Sequence, residues 1–148
     1  KRFFYTGAFI FGRICYTIVM LDYKAVKETL AKYPAVKLAY LFGSRARNEA
    51  GPLSDYDFAV YAEERDLYKL SDLRFSLMAD LSRLVGSDAV DVVMLNTADS
   101  PELKYHIIAD GQLIYEEEPY RVLIEPRIMA EYFDLKDFLQ RYQLTKAV

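Results

Sequence analysis

The chain has 148 residues, one domain's worth of polypeptide, and its 53% hydrophobic content suffices for one buried core while a second substrate-recognition domain is not expected. With 28% charged residues and no long Pro, Gly or Ser run, an ordered α/β or α+β globule is expected, not a disordered chain. Nineteen Lys and Arg against 22 Asp and Glu give a net charge of −3, which disfavours a nucleic-acid substrate, and the lone Cys15 excludes an internal disulfide or a cysteine-based zinc site and agrees with a reducing cytoplasm.

Residues 1–19, KRFFYTGAFIFGRICYTIV, begin basic and continue apolar, as a signal peptide or anchor would. Arg13 breaks the apolar run below the ~20 residues a spanning helix needs, and no small-x-small cleavage site stands out. This stretch is therefore expected to be a foreign remnant, a mis-set start or a peripheral apolar arm, with the domain proper at 20–148 and no membrane attachment. Asp22 is a candidate N-cap for a helix over 22–32, stopped by Pro34. The apolar run VKLAYLF, 36–42, predicts a buried strand ending at Gly43. GSRARNEAGPLS then reads as a turn, a short helical piece and a loop, and DYDFAVY as the next strand.

Leu67, Leu70, Leu73, Leu77, Leu81 and Leu84 recur at helical spacing, predicting an amphipathic helix over about 64–85 that ends at Gly86. A third strand is expected at 90–95, then a helix opened by Ser100-Pro101-Glu102 and running to about Asp110. DGQLIYEEE suggests a turn and a short edge strand, with Glu116 to Glu118 as a solvated run. The tail from about 119 to 143 has near-helical apolar spacing, with Pro126 as a kink or boundary. The whole reads as a small mixed β-sheet with helices packed mainly on one face.

Alternation along a strand points Asp55 and Asp57 to the same side. Two such carboxylates repel, so they lie at a solvated strand end or bind a metal, and oxygen donors without Cys or His select Mg²⁺ or Mn²⁺. Asp91, in the apolar stretch AVDVVML, makes sense if it faces the same ions, as in two-metal nucleotidyl transfer. In that arrangement Asp91 is the carboxylate nearest the acceptor and its candidate proton acceptor. Gly43 and Ser44, after a strand and before a helical turn, can seat a phosphate on backbone N–H groups, with Arg45 or Arg47 adding a charge-assisted contact. Spacing leaves open which arginine faces inward. Each feature alone is more often structural, and the inference rests on their conjunction.

Gly43-Ser44, ten intervening residues and Asp55-x-Asp57 match the GS-x10-DxD signature of the DNA polymerase beta-like nucleotidyltransferase superfamily, and the wider sequence over 20–140 resembles its minimal nucleotidyltransferases. The resemblance implies that Asp55, Asp57 and Asp91 are metal-binding and that ATP is the substrate. One branch of that family acts as the antitoxin of a HEPN-domain toxin, transferring AMP to a toxin tyrosine, and the resemblance implies that role and that partner here. Asn48 departs from the glycine frequent in the family, which puts only the tightness of the turn in doubt. Transfer to a small molecule such as an aminoglycoside and contact-only neutralisation of a partner remain as alternatives, and the oligomeric state stays open. His106, the single histidine, is expected to be structural, and most of the thirteen tyrosines to pack in the core or an interface, with Tyr132 and Phe133 candidates to face a partner.

Overall fold

The computed structural model describes residues 21–47, 54–86 and 88–144. The N-terminal stretch with Cys15, the proposed boundary at 20 and the turn residue Asn48 lie outside the described residues. Helix α1 spans Tyr23–Leu30, and Asp22 caps it as expected, its carboxylate accepting from the Lys24 and Ala25 N–H groups. Strand β1 (Val36–Phe42) leads directly into the four-residue helix α2 (Gly43–Ala46), and β2 follows at Tyr56–Ala62. Helix α3 (Leu67–Val85) starts at the first leucine of the series and not at about 64, because Asp66 caps it by accepting from the Tyr68 and Lys69 N–H groups. It ends as predicted at Gly86, in the left-handed conformation with φ 70°.

Strand β3 (Val90–Met94), α4 (Pro101–Asp110, capped by Ser100), β4 (Gln112–Glu116) and α5 (Tyr120–Arg141) complete the order. Pro126 lies inside α5, so it neither ends nor starts that helix. The one backbone bond it forgoes would have gone to the carbonyl of Val122, on the exposed side of the helix.

The four strands form one mixed sheet in the order β3-β2-β1-β4. β1 pairs antiparallel with β2 and β4, whereas β2 and β3 run parallel, in register from Tyr56 opposite Val90 to Val60 opposite Met94. β4 is an edge strand, as its short sequence suggested.

Helices cover both faces, which corrects the expectation that they pack mainly on one. On the first face Leu30, Leu70, Leu77 and Leu81 from α1 and α3 bury Leu41, Phe58, Val60 and Val92. On the second, Ile107 from α4 and Ile124 and Ile128 from α5 bury Leu38, Tyr40 and Ala59. The reason is legible in β1, where Leu38, Ala39, Tyr40 and Leu41 are consecutive buried residues, the pattern of a strand covered on both sides. The Tyr40 hydroxyl ends in a polar network, donating to Glu125 Oε1 at 2.8 Å while Arg121 Nε donates to the same oxygen at 3.0 Å. The acidic run is not simply solvated, since Glu117 accepts from Lys37 Nζ at 2.6 Å and Lys37 in turn lies over the Tyr120 ring. Among the described residues no helix is long and apolar enough to cross a membrane.

Candidate active site

The end of the sheet where β1 finishes and the parallel pair β2 and β3 begins gathers the polar residues singled out by spacing. Alternation in β2 sends Tyr56, Phe58 and Val60 into the α1/α3 core, so Asp57 projects from the opposite face. Asp91 is its register partner on β3, and parallel pairing turns the two side chains to the same side. Asp55 precedes β2 and is exposed.

Gly43 meets this pair from β1. Its φ of +74° is left-handed, and a Cβ added there would collide with Asp57 Oδ2 and stand 3.3 Å from Asp57 Cγ. Only glycine lets the turn after β1 pass so close to that carboxylate. Ser44, next in α2, is half-buried, and Arg47 sits exposed at the end of the same short helix.

Arg45, one of the two arginines considered for a phosphate contact, is held by backbone carbonyls at the entry of β2. Its Nε donates to the Ser54 carbonyl at 2.9 Å and the Asp55 carbonyl at 3.2 Å, and its Nη2 donates to Ser54 at 2.5 Å. The guanidinium also stacks 3.6 Å over the buried Tyr56 ring. It thereby clamps the entry of β2 against α2 and fixes where Asp55 and Asp57 begin.

Asp57 carries the strain of the cluster. Burial pushes its carboxyl above the ordinary carboxylate range, the charges of Asp55 and Asp91 push it further, and Arg45 alone opposes them. The three carboxylates thus feel one another without converging, because among the described residues no three His, Cys, Asp or Glu side chains form a ready ligand group. The donor set nevertheless suits a hard divalent ion, since it is all oxygen, carries an excess of negative charge and includes a partly buried carboxylate that a cation would relieve.

One neighbour went unseen in the sequence. Arg74 of α3 reaches round the free edge of β3, donating from Nε to the Val92 carbonyl at 2.6 Å and from Nη2 to Asp91 Oδ1 at 3.1 Å. A signal for it existed, because Arg74 occupies a core-facing position of the α3 stripe, four residues after Leu70 and three before Leu77. His106, by contrast, is the exposed surface residue expected, its Nδ1 lying 3.1 Å from Asp110 Oδ2 within α4.

The model of the family described as polymerase beta, nucleotidyltransferase, matches residues 24–120, which takes in every strand and the whole of this cluster. The chain belongs to that family. Among curated proteins it is similar to the protein adenylyltransferase MntA of Aphanizomenon flos-aquae, with 37% identity over 94 residues. That match covers 60% of this chain and 62% of the relative, so the chain spans less than two thirds of the relative's length. Among solved structures, a toxin–antitoxin complex with AMP-PNP contains a chain that superposes with a TM-score of 0.69 at 27% identity, covering 82% of this chain and 95% of that one. A complex of a tri-AMPylated Shewanella oneidensis HEPN toxin with its MNT antitoxin gives a TM-score of 0.59 at 25% identity, covering 81% of this chain and 94% of that one.

Proposed function

We propose that this chain is a Mg²⁺-dependent protein adenylyltransferase, the antitoxin of a HEPN-type toxin, which it silences by transferring AMP from ATP to a toxin tyrosine. The observation that carries the chemistry is the close approach of Gly43 to Asp57, beside an in-register Asp91. Such a turn brings backbone N–H groups against the metal-binding strand, where a triphosphate bridging the two would sit. The similarity to an adenylyltransferase and to chains solved with a HEPN toxin supports a protein as acceptor. ATP and an AMP-accepting toxin also make the cytoplasm the compartment this reading requires.

In this reading Asp55, Asp57 and Asp91 would hold the divalent ions, whose charge would neutralise the triphosphate and the developing negative charge on the reacting oxygens. Gly43 and Ser44 bind and orient the phosphates through backbone N–H groups and the Ser44 hydroxyl. Arg45 keeps the two edges of the seat in register from behind. The acceptor hydroxyl attacks the α-phosphorus in line. The new oxygen–phosphorus bond forms as the bond to the bridging oxygen breaks, pyrophosphate leaves with that electron pair, and the hydroxyl proton passes to the Asp91 carboxylate. Catalysis here is mainly positioning and charge neutralisation.

The test is incubation with ATP, Mg²⁺ and the product of the neighbouring gene, read by intact mass. A gain in units of AMP on that protein, absent with Asp55→Ala/Asp57→Ala, supports the reading. Tight binding with no mass gain would replace it with neutralisation by contact alone. Neither binding nor gain would direct the search to small-molecule acceptors such as aminoglycosides.

A further inference from the structure

We infer that Arg74 is a positioning residue that presents Asp91 to the divalent ion, an inference that rests on the assignment of Asp91 as a metal ligand. Its guanidinium bonds two parts of the same strand at once, the Val92 carbonyl through Nε and Asp91 Oδ1 through Nη2. The Val92 N–H donates to that same oxygen at 2.8 Å. With both donors on Oδ1, the rotation of the carboxylate is fixed and Oδ2 is turned away from the guanidinium.

The anchor is stiff for a reason that lies in α3. The stem of Arg74 leaves the helix in the stripe between Leu70 and Leu77, both buried, so the core sets the position of the guanidinium. β3 is an edge strand, and an edge carbonyl with no neighbouring strand to donate to it is where a side chain can take the place of a ladder bond. Arg74 takes it, and its planar fork transmits the register of the strand to the carboxylate. As an ion pair alone the contact contributes little, because the side chains are 42% and 52% exposed. Its value is geometric, as with the hydrogen-bonded partners that orient metal-binding carboxylates elsewhere.

Arginine and lysine should therefore not be interchangeable here. A lysine at this position would keep the charge, but a single ammonium cannot span the carbonyl and the carboxylate as the fork does. The experiment is titration of the intact chain with Mn²⁺ alone, followed by electron paramagnetic resonance, for the wild type, Arg74→Lys, Arg74→Gln and Asp91→Asn, with the melting temperature of each recorded. Both Arg74 variants are expected to bind Mn²⁺ about tenfold more weakly, the lower end of what loss of such a partner costs. A charge effect alone would leave Arg74→Lys unchanged and tighten binding by Arg74→Gln, and either result overturns the inference. Asp91→Asn separates the two levels. If it binds as the wild type does, the assignment of Asp91 as a ligand has failed, whereas weakened binding there with unaltered Arg74 variants sinks only the role of Arg74. Should Arg74→Gln not fold, Arg74→Lys decides, since it keeps the stem packed in α3.

Discussion

The two faces of β2 are built for opposite ends. Tyr56, Phe58, Val60 and Ala62 enter the core under α1 and α3, where each is buried among apolar neighbours. From the same seven residues, Asp57 projects to the other side, beside two further carboxylates and against a glycine with no room to spare. The α1/α3 face gains stability by removing apolar surface from water, while the Asp57 end keeps a charge cluster that the fold alone does not relieve. A strand's period of two lets one short segment do both, because alternate side chains leave on opposite faces, and on the second face the buried Ala59 and the packed Tyr61 lie further along the strand from Asp57.

That division can be broken from either face. The largest effect is expected from Leu77→Ala, which empties a fully buried position of the α1/α3 face. It should cost about 2–5 kcal/mol in urea unfolding while leaving transfer per folded molecule unchanged, and a matching loss of activity would erase the division. Gly43→Ala does the reverse. The left-handed backbone costs about 1–2 kcal/mol, and displacement of Asp57 should lower the transfer rate on the order of 100-fold. A variant as active as the wild type would show that the close approach has no part in the chemistry.

Smaller changes sharpen the picture. Arg45→Gln removes the clamp on Ser54 and Asp55, and we expect KM for ATP to rise more than kcat falls, because the seat loosens while its ligands stay. A fall in kcat alone would place Arg45 at the reacting atoms. Phe133, 48% exposed on α5 and in edge contact with Tyr105 and Tyr132, is the candidate with which to test a partner-facing surface. Phe133→Ala should weaken the complex with the toxin by about 1–2 kcal/mol and the isolated chain by less. Equal losses would make the α4/α5 aromatics packing only.

Much of this was legible in the sequence because local signals agreed with the fold. The caps at Asp22 and Ser100, the stop at Gly86 and the three strand cores all came from residue type and period. The GS-x10-DxD spacing brought Gly43 and Asp57 to one place, although its ten-residue interval says nothing of how close they come. What stayed hidden depended on tertiary direction. Arg45 and Arg47 are alike in sequence, and only the course of the chain into β2 turns Arg45 to the Ser54 carbonyl. Arg74 lies in the core-facing stripe of α3, but that position does not name its partners, the Val92 carbonyl and Asp91, which lie on a strand whose edge position no periodicity reveals. The second covered face was not expected, although the unbroken apolar run of β1 is a signal that points to burial on both sides.

The most direct test is Asp57→Asn, followed for stability and for AMP transfer in the same preparation. The Asp57 carboxyl titrates above its unfolded value, so its stabilising contribution is present only at low pH and is lost as the pH rises through the raised folded value. At neutral pH, without divalent ions, the ionised side chain should thus cost the wild type stability. Asp57→Asn is expected to melt higher there, to lose that advantage as the pH falls and the wild-type carboxyl protonates, and to transfer no AMP. A variant that melts lower than the wild type at neutral pH, or that still modifies the toxin at the wild-type rate, would contradict the account.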